Sequence, residues 1–380
     1  MSLTPKERVL AQINHQETDY IPYTIRLTDD VAQRLDAHYG CATWRRLVDD
    51  AIRALPSPVP LVTDGAGPLV RDVYGSLWRI DRRPFHLVEA ALRGPSLQGP
   101  APRAGCGRLV FPDVDSLCTP EWEQQARRAA EENKDHFLVA TLGNGLFERS
   151  WALLGFEEAL MAAVAEPAFY AGLLERLADH QLAIVDRLLE LPVDGIFFGD
   201  DWGYQEGVLL GPARWRRLIK PHYARIYARV HAAGKLTLSH CCGSVAEILP
   251  DIIEMGLDVL ESVQPEARGM NPYELKRRFG ADITFWGGLG SQSLIPFGTP
   301  AEIHAEVERL CLEMGRGGGY ILSPAKPLQP ETPVANAAAV VEAFLTQAGV
   351  SDLTHSQDDL TRHCETKAGA EPQERLPSGG

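Results

Sequence analysis

The sequence contains no long hydrophobic run. Hydrophobic residues make up 45% of its 380 residues, but no stretch reaches the roughly 18 apolar residues that a membrane-spanning helix needs. Residues 1–8 also lack the apolar core of a signal peptide. They instead suggest a helix start, with Thr4 as N-cap, Pro5 in the first turn and Glu7 completing a capping box. We therefore expect a cytoplasmic protein that does not contact a membrane.

An excess of positive charge is also lacking. Lys and Arg total 37 against 51 Asp and Glu, which gives a formal net charge of −14. An acidic surface repels phosphate backbones, so nucleic-acid binding is not expected. The sequence has seven cysteines, an odd number without the spacing of a disulfide framework. Reduced thiols are the expectation, and each is available as a metal ligand or as core filler.

From residue 137 onward, short apolar runs alternate with amphipathic helical segments. The predicted strands cover residues 137–141, 195–199, 235–240, 258–263, 282–287 and 319–323. This alternation indicates βαβ units and a parallel sheet. Two further strands from the first 130 residues would complete a (β/α)8 TIM barrel with an irregular N-terminal extension. The alternative is an open doubly wound sheet, which is disfavoured because no Gly-x-Gly-x-x-Gly turn follows a strand.

The pattern also sets expectations for individual segments. It predicts one barrel domain over residues 1–348 and a disordered tail over residues 349–380. It further predicts a strand piece over residues 70–79 and uninterrupted helices over residues 151–164 and 212–233.

The most distinctive motif is Ser239-His240-Cys241-Cys242-Gly243-Ser244, at the end of a predicted strand. Residues two apart on an extended segment point the same way, so His240 and Cys242 can bind one ion together. An imidazole and a thiolate suit zinc. The alternative is that His240 caps the next helix while small Cys residues pack below it.

Two other strand ends carry polar residues. Asp200 and Asp201 follow a strand directly, and carboxylates there are costly without a cation or donor. They could bind a metal, orient a base or hold a substrate, or one could cap the next turn while the other faces water. Lys326 lies in a proline-stiffened loop after the last strand, and we predict that it contacts substrate. The remaining candidates are Asp72 for catalysis and Arg26, Asn144, Trp202, Gln264, Trp286 and Gln329 for substrate binding.

Several segments together resemble the uroporphyrinogen decarboxylase superfamily. They are Thr4-Pro5-Lys6-Glu7-Arg8-Val9-Leu10, Asp19-Tyr20-Ile21-Pro22, Asp72-Val73-Tyr74-Gly75, Phe198-Gly199-Asp200-Asp201-Trp202-Gly203, His240-Cys241-Cys242-Gly243, Phe285-Trp286-Gly287-Gly288 and Gln329-Pro330-Glu331-Thr332-Pro333. The resemblance runs from about residue 4 to residue 346, and it implies a (β/α)8 barrel.

The resemblance leaves two branches to choose between. Cofactor-free decarboxylases clamp an octacarboxylate with an Arg-rich N-terminal loop, but the matching segment here, residues 22–28, has the single Arg26. Methyltransferases of the other branch work with corrinoid proteins and hold zinc with a His-x-Cys pair plus a distant Cys. His240 and Cys242 match the pair, whereas the loop expected to carry the distant Cys has Lys326 instead. A carboxylate such as Asp200 or Asp201, or Gln264, could complete the shell. Alternatively the metal differs, or Lys326 replaces its charge.

The favoured hypothesis is methyl transfer between a small methylated compound and a corrinoid protein or thiol. In it His240 and Cys242 hold zinc, Asp200 and Asp201 complete the shell or orient the acceptor, and Lys326 binds an anionic part of the substrate. The alternative is a cofactor-free decarboxylase of a small acid. There Arg26 and Lys326 bind carboxylate, and Asp72 or Asp200 stabilises a cationic intermediate. A barrel that only binds a ligand is the third hypothesis.

Overall fold

In the computed structural model, the residues described are 3–59, 67–81, 85–92 and 110–350. Their centre is a parallel seven-stranded sheet in the order β1-β5-β6-β9-β10-β11-β12. The strands are β1 (Ile52–Ala54), β5 (Phe137–Leu142), β6 (Gly195–Gly199), β9 (Leu236–His240), β10 (Val259–Val263), β11 (Thr284–Leu289) and β12 (Tyr320–Pro324). The α/β fold with a parallel sheet, predicted from the alternation of runs, is therefore present. The predicted tail lies almost wholly outside the described residues, apart from Gly349 and Val350.

Helices follow most of the strands, and many begin with a proline in the first turn. Proline suits that position because it has no N–H to leave unpaired. The helices are α1 (Pro5–Ile13), α2 (Asp29–Tyr39), α3 (Val114–Leu117), α4 (Pro120–Glu132), α5 (Leu146–Leu154), α6 (Phe156–Ala165), α7 (Pro167–Leu188), α8 (Pro212–Leu218), α9 (Lys220–Ala232), α10 (Leu249–Glu254), α11 (Pro272–Phe279), α12 (Leu294–Phe297), α13 (Pro300–Gly315) and α14 (Val334–Gln347). A 3-10 helix covers Thr43–Arg46. Within the described ranges, no helix combines the length and the apolar character needed to cross a membrane.

A short extended segment, residues 22–24, lies between the last and the first strand of the sheet. Tyr23 forms a parallel bridge with Leu322 of β12, and the Thr24 N–H donates to the Leu322 carbonyl at 3.0 Å. On its other side, the Ala51 N–H donates to the Tyr23 carbonyl at 2.9 Å. This one segment is therefore hydrogen-bonded to the edge strand β12 and to Ala51, the residue directly before the other edge strand, β1.

Two apolar clusters hold the fold together. The larger one packs helices against the sheet. The smaller one contains strand residues such as Ile52, Val139, Leu238 and Val259, and the helical residue within it, Val9, belongs to α1. Helix α1 lies at the N-terminal ends of the strands, since the Gly319 N–H, just before β12, donates to the Gln12 carbonyl at the end of α1. The C-terminal ends of the strands lie on the opposite side of the sheet, where barrels of this kind build their active sites.

Three local predictions were wrong. The 70–79 piece is two strands, β2 (Leu69–Arg71) and β3 (Leu77–Arg79), joined by a turn, and β4 (His86–Glu89) completes a small antiparallel sheet. The 151–164 helix is broken at Gly155, whose φ of 97° is unfavourable for other residues. The 212–233 helix is interrupted at Ile219, between α8 and α9. The two remaining short strands, β7 (Gly203–Tyr204) and β8 (Gly207–Val208), form a hairpin after β6.

Candidate functional site

Six ionisable side chains meet at the C-terminal ends of the sheet strands, and we call them the charged cluster. They are Arg26, Asp201, His240, Cys242, Glu261 and Lys326. Asp201 follows β6, His240 ends β9 and Lys326 follows β12. The C-terminal ends of parallel strands meet at one edge of a sheet, which brings residues distant in sequence together.

Glu261 is the buried centre of the cluster. It lies directly opposite His240 of β9 and Trp286 of β11 in the strand register, and its side chain is 1% exposed. Its carboxylate contacts both His240 Nδ1 and the Arg26 guanidinium. Burial raises the pKa of Glu261, but His240 and Arg26 outweigh burial and hold the pKa below its usual value. Glu261 is therefore ionised and fixes the His240 ring.

His240 joins Glu261 to Cys242. Its Nε2 lies 2.9 Å from Cys242 Sγ and 3.4 Å from Asp201 Oδ1. Burial lowers the pKa of His240, yet the neighbouring Glu261 and Cys242 raise it well above its usual value. A protonated His240 donates from one ring nitrogen to Glu261 and from the other to the sulfur.

Cys242 has a second nitrogen partner. Lys326 Nζ donates to Cys242 Sγ at 2.6 Å. Burial lowers the pKa of Lys326, but Cys242, Asp201 and Glu261 outweigh burial and raise it. The sulfur thus lies between two nitrogen atoms, one from His240 and one from Lys326. The adjacent Cys241 is buried instead, and its Sγ accepts from the Trp202 N–H at 3.2 Å.

Asp201 completes the group of possible metal ligands. Its Oδ1 accepts from the Cys242 N–H at 2.8 Å, and its side chain is 37% exposed. One ligand atom from each of Asp201, His240 and Cys242 lies within 4.8 Å of the others. Carboxylate, imidazole and thiolate are donors that zinc takes, and three protein ligands are usual when zinc is catalytic. A carboxylate on the second nitrogen of a ligating histidine is the usual support for such a ligand. The donor set fits zinc in kind and number.

Asp200, although adjacent to Asp201, lies in a different environment. It is completely buried and accepts from the Phe147 N–H (3.1 Å), the Glu148 N–H (2.8 Å), Trp202 Nε1 (2.7 Å) and the Tyr223 hydroxyl (2.9 Å). Burial raises its pKa to about 6, and these four donors limit the rise. Asp200 holds the N-terminus of α5 and the Trp202 indole. We call Asp200, Trp202, Tyr223 and the N-terminus of α5 the buried platform.

The other predicted residues are spread over several positions. Trp286 is buried in β11 and donates from Nε1 to Thr24 Oγ1 at 3.0 Å. Its ring centroid lies 5.9 Å from Arg26 Cζ. Gln264 is buried and accepts from the Gly243 N–H at 3.1 Å, while its Nε2 has no partner among the described residues. The Asn144 carbonyl accepts from Gln181 at 3.3 Å.

Gln329 and Lys326 line a cleft of about 640 Å³ between the loops that follow β11 and β12. Asp72 lies elsewhere, in the turn between β2 and β3. It pairs with Arg149 at 2.8 Å and accepts from Trp78 Nε1 at 3.0 Å. The structure therefore brings Lys326 and Gln329 to one cleft, whereas Asp72 belongs to a buried ion pair.

Two acidic residues of the site were missed in the sequence. Glu261 interrupts the apolar run of β10, and a lone charge inside a buried strand indicates a partner. Glu148 lies in the first turn of α5. Burial, together with Asp201 and Asp200, raises the pKa of Glu148 well above its usual value. Glu148 is thus a buried acid that the two neighbouring carboxylates influence directly.

Comparison with known proteins then places the chain. A family model described as uroporphyrinogen decarboxylase (URO-D) matches residues 147–346, more than half of the 380 residues. The chain belongs to the URO-D family. This match covers β6, β9, β10, β11 and β12, and so every residue of the charged cluster except Arg26.

Relatives within the URO-D family are distant. A uroporphyrinogen decarboxylase from Thermus thermophilus is 30% identical over 182 residues, 47% of this chain and 48% of that protein. The one from Serratia proteamaculans is 25% identical over 193 residues, 49% of this chain and 50% of that protein. The chain thus matches about half the length of these curated relatives. A methyltransferase from Methanosarcina mazei has a similar solved structure, with a TM-score of 0.63, 19% identity and coverage of 90% of this chain and 98% of that one.

Proposed function

We propose that this URO-D family member is a zinc-dependent methyltransferase built on a closed (β/α)8 barrel. The observation that carries the proposal is the convergence of Asp201, His240 and Cys242 at the strand ends, with Glu261 behind the His240 ring. The bonds of residues 22–24 to β12 and to Ala51, directly before β1, support the closed barrel. The similarity in fold to a methyltransferase agrees with this proposal.

In the proposed enzyme, Asp201, His240 and Cys242 hold the zinc. A bound zinc ion would lower the pKa of a thiol or polarise the leaving oxygen of a methyl ether. Glu261 accepts a hydrogen bond from the Nδ1–H of His240, which leaves Nε2 as the ligand atom. Arg26 balances the charge of Glu261 and thereby keeps this acid ionised inside the sheet.

The cleft beside Lys326 is the proposed substrate site. Gln329, Gln292 and Thr332 supply hydrogen-bonding groups to it, and Leu328 with Ile295 supplies apolar surface. This mixture suits a small, partly apolar methylated compound. The methyl group would pass to a thiol or to a corrinoid carried by a partner protein that docks over the strand ends.

A cofactor-free decarboxylase of a small acid is the second candidate function. The contact of Lys326 with Cys242 favours it, because an ammonium supplies positive charge at the sulfur without a metal. Two observations weigh against it. Arg26 already contacts Glu261, so it is not free to bind a carboxylate substrate in this structure. Asp72 already pairs with Arg149, so it is not free to stabilise a cationic intermediate.

Metal analysis of the purified protein separates the two functions. We expect about one equivalent of zinc in the wild type and in the control Cys311→Ala, whose thiol lies in α13 away from the site. The double variant His240→Ala/Cys242→Ala should contain none and should lose methyl transfer from a methylated thiol to added cobalamin. A wild type that binds no zinc, even when zinc is supplied, would exclude the methyltransferase proposal and favour the decarboxylase.

A further inference from the structure

Lys326 occupies part of the space around Cys242 that a metal would need. Its Nζ lies 2.6 Å from Cys242 Sγ, and a zinc–sulfur bond is itself about 2.3 Å long. An ammonium in contact with the sulfur and a dication bound to the same sulfur repel each other strongly in a half-buried site. The two cations therefore compete for Cys242.

Cys242 Sγ already has two nitrogen neighbours, His240 Nε2 at 2.9 Å and Lys326 Nζ at 2.6 Å. A zinc ion held by His240 and Cys242 would keep His240 beside the sulfur, because the imidazole is itself a ligand. The Lys326 ammonium has no lone pair to offer a metal. Of the two neighbours, Lys326 is therefore the one that has to leave.

The backbone that carries Lys326 is fixed, so the side chain alone has to move. The Leu328 N–H donates to the Arg26 carbonyl at 2.9 Å, and the Thr28 N–H donates to the Leu328 carbonyl at 3.1 Å. Arg34 holds the next turn by donating to the carbonyls of Pro330 and Thr332, each at 2.8 Å. The cleft of about 640 Å³, which Lys326 already lines, offers space for the ammonium.

From these observations we infer that Lys326 is a built-in competitor of the metal at Cys242. The ammonium holds the sulfur when the metal is absent and turns into the cleft when the metal binds. Lys326 thereby weakens zinc binding and makes the ion exchangeable. This inference rests on the zinc site of the proposed function, but it concerns affinity, which is measured without turnover.

The test is the zinc affinity of the metal-free protein, measured by competition with a chromogenic chelator. Lys326→Met and Lys326→Gln remove the charge, while Lys326→Arg keeps it. Lys220→Met removes a distant lysine that pairs with Asp251 and Glu254. We expect both neutral variants to bind zinc at least about tenfold more tightly than the wild type. Lys326→Arg should bind no more tightly than the wild type, and Lys220→Met should be unchanged within about twofold.

Cobalt(II) gives a second readout, because a thiolate-to-cobalt absorption band reports the bond to Cys242 directly. The band should saturate at lower cobalt concentration in Lys326→Met than in the wild type. Equal or weaker metal affinity in both neutral variants would overturn the inference, and the proposed zinc site would survive if the wild type binds zinc. Zinc binding by the neutral variants alone would support the inference and exclude a zinc-dependent function. Binding by none of the proteins would exclude both.

Discussion

Asp200 and Asp201 are consecutive in the chain, yet they belong to two regions of opposite character. In the buried platform, Asp200 accepts four hydrogen bonds from backbone, indole and phenol donors. In the charged cluster, Asp201 is partly exposed and its neighbours His240, Cys242 and Lys326 satisfy one another. The hydrogen-bond donors of the platform are buried backbone and ring groups that are fixed in place. The contacts within the cluster are made by side chains that a ligand can displace. A rigid support beneath an exchangeable set of charges is what a binding site requires.

The largest expected effect tests the platform. Asp200→Ala leaves four donors without an acceptor inside the protein, so the free energy of unfolding should fall by about 3–5 kcal/mol. Asp201→Ala removes one hydrogen bond at a partly exposed position and should cost about 1 kcal/mol. Urea unfolding followed by circular dichroism measures both. Equal losses in the two variants would show that the two regions do not differ as described.

The pH dependence of stability sharpens the same comparison. Burial raises the folded-state pKa of Asp200 to about 6, above its ordinary value. A raised pKa gives stability that is fully present below the unfolded pKa and is lost as the pH rises through about 6. Unfolding free energies at pH 4 to 7 should therefore contain a fall of up to about 3 kcal/mol from this group.

Asp200→Asn should reduce that fall without abolishing it. The pKa of Asp50 is also raised to about 6 by burial, and Asp50 contributes with the same sign. Gly143→Ala, which changes no titratable group, is the control and should leave the slope between pH 4 and pH 6 unchanged. A steeper slope in Asp200→Asn than in the wild type would contradict the assignment.

A smaller effect is expected at the junction between β5 and α5. Gly145 has an ordinary φ of −62°, but a Cβ there would lie 2.5 Å from the Asp200 Cβ and against the Tyr223 hydroxyl. Gly145→Ala should therefore destabilise the protein by about 2–3 kcal/mol through steric overlap alone. Gly143→Ala, where a Cβ meets nothing within 4 Å, should change stability by less than about 0.5 kcal/mol. Thermal and urea unfolding of the two variants provide the measurement.

The sequence predicts where the strands end more reliably than it predicts which side chains contact the residues at those ends. Apolar runs locate β6, β9 and β12, and so they locate Asp201, His240 and Lys326 at one end of the sheet. Alternation along an extended segment also places His240 and Cys242 together, as their 2.9 Å contact shows. These features depend on local periodicity, which a single sequence carries.

Long-range partners were not predictable in the same way. Nothing local indicates that Asp200 turns toward the N-terminus of α5, or that Asp72 pairs with Arg149, 77 residues away. Glu261 was overlooked because a strand was expected to be apolar, and its two partners come from distant parts of the chain. The helix break at Gly155 could have been predicted from a glycine inside a helical pattern.

The separation of the cluster residues along the chain also bears on protein synthesis. Arg26 and its partner Glu261 are 235 positions apart, and Cys242 and Lys326 are 84 apart. As the chain leaves the ribosome, Arg26 emerges early, and Lys326 follows only after β12. A nascent chain that already contains every strand up to β11 still lacks the lysine at the sulfur. Of the two nitrogen partners of the Cys242 sulfur, such a chain contains only His240, and the ammonium of Lys326 can join it only after the last strand has been made.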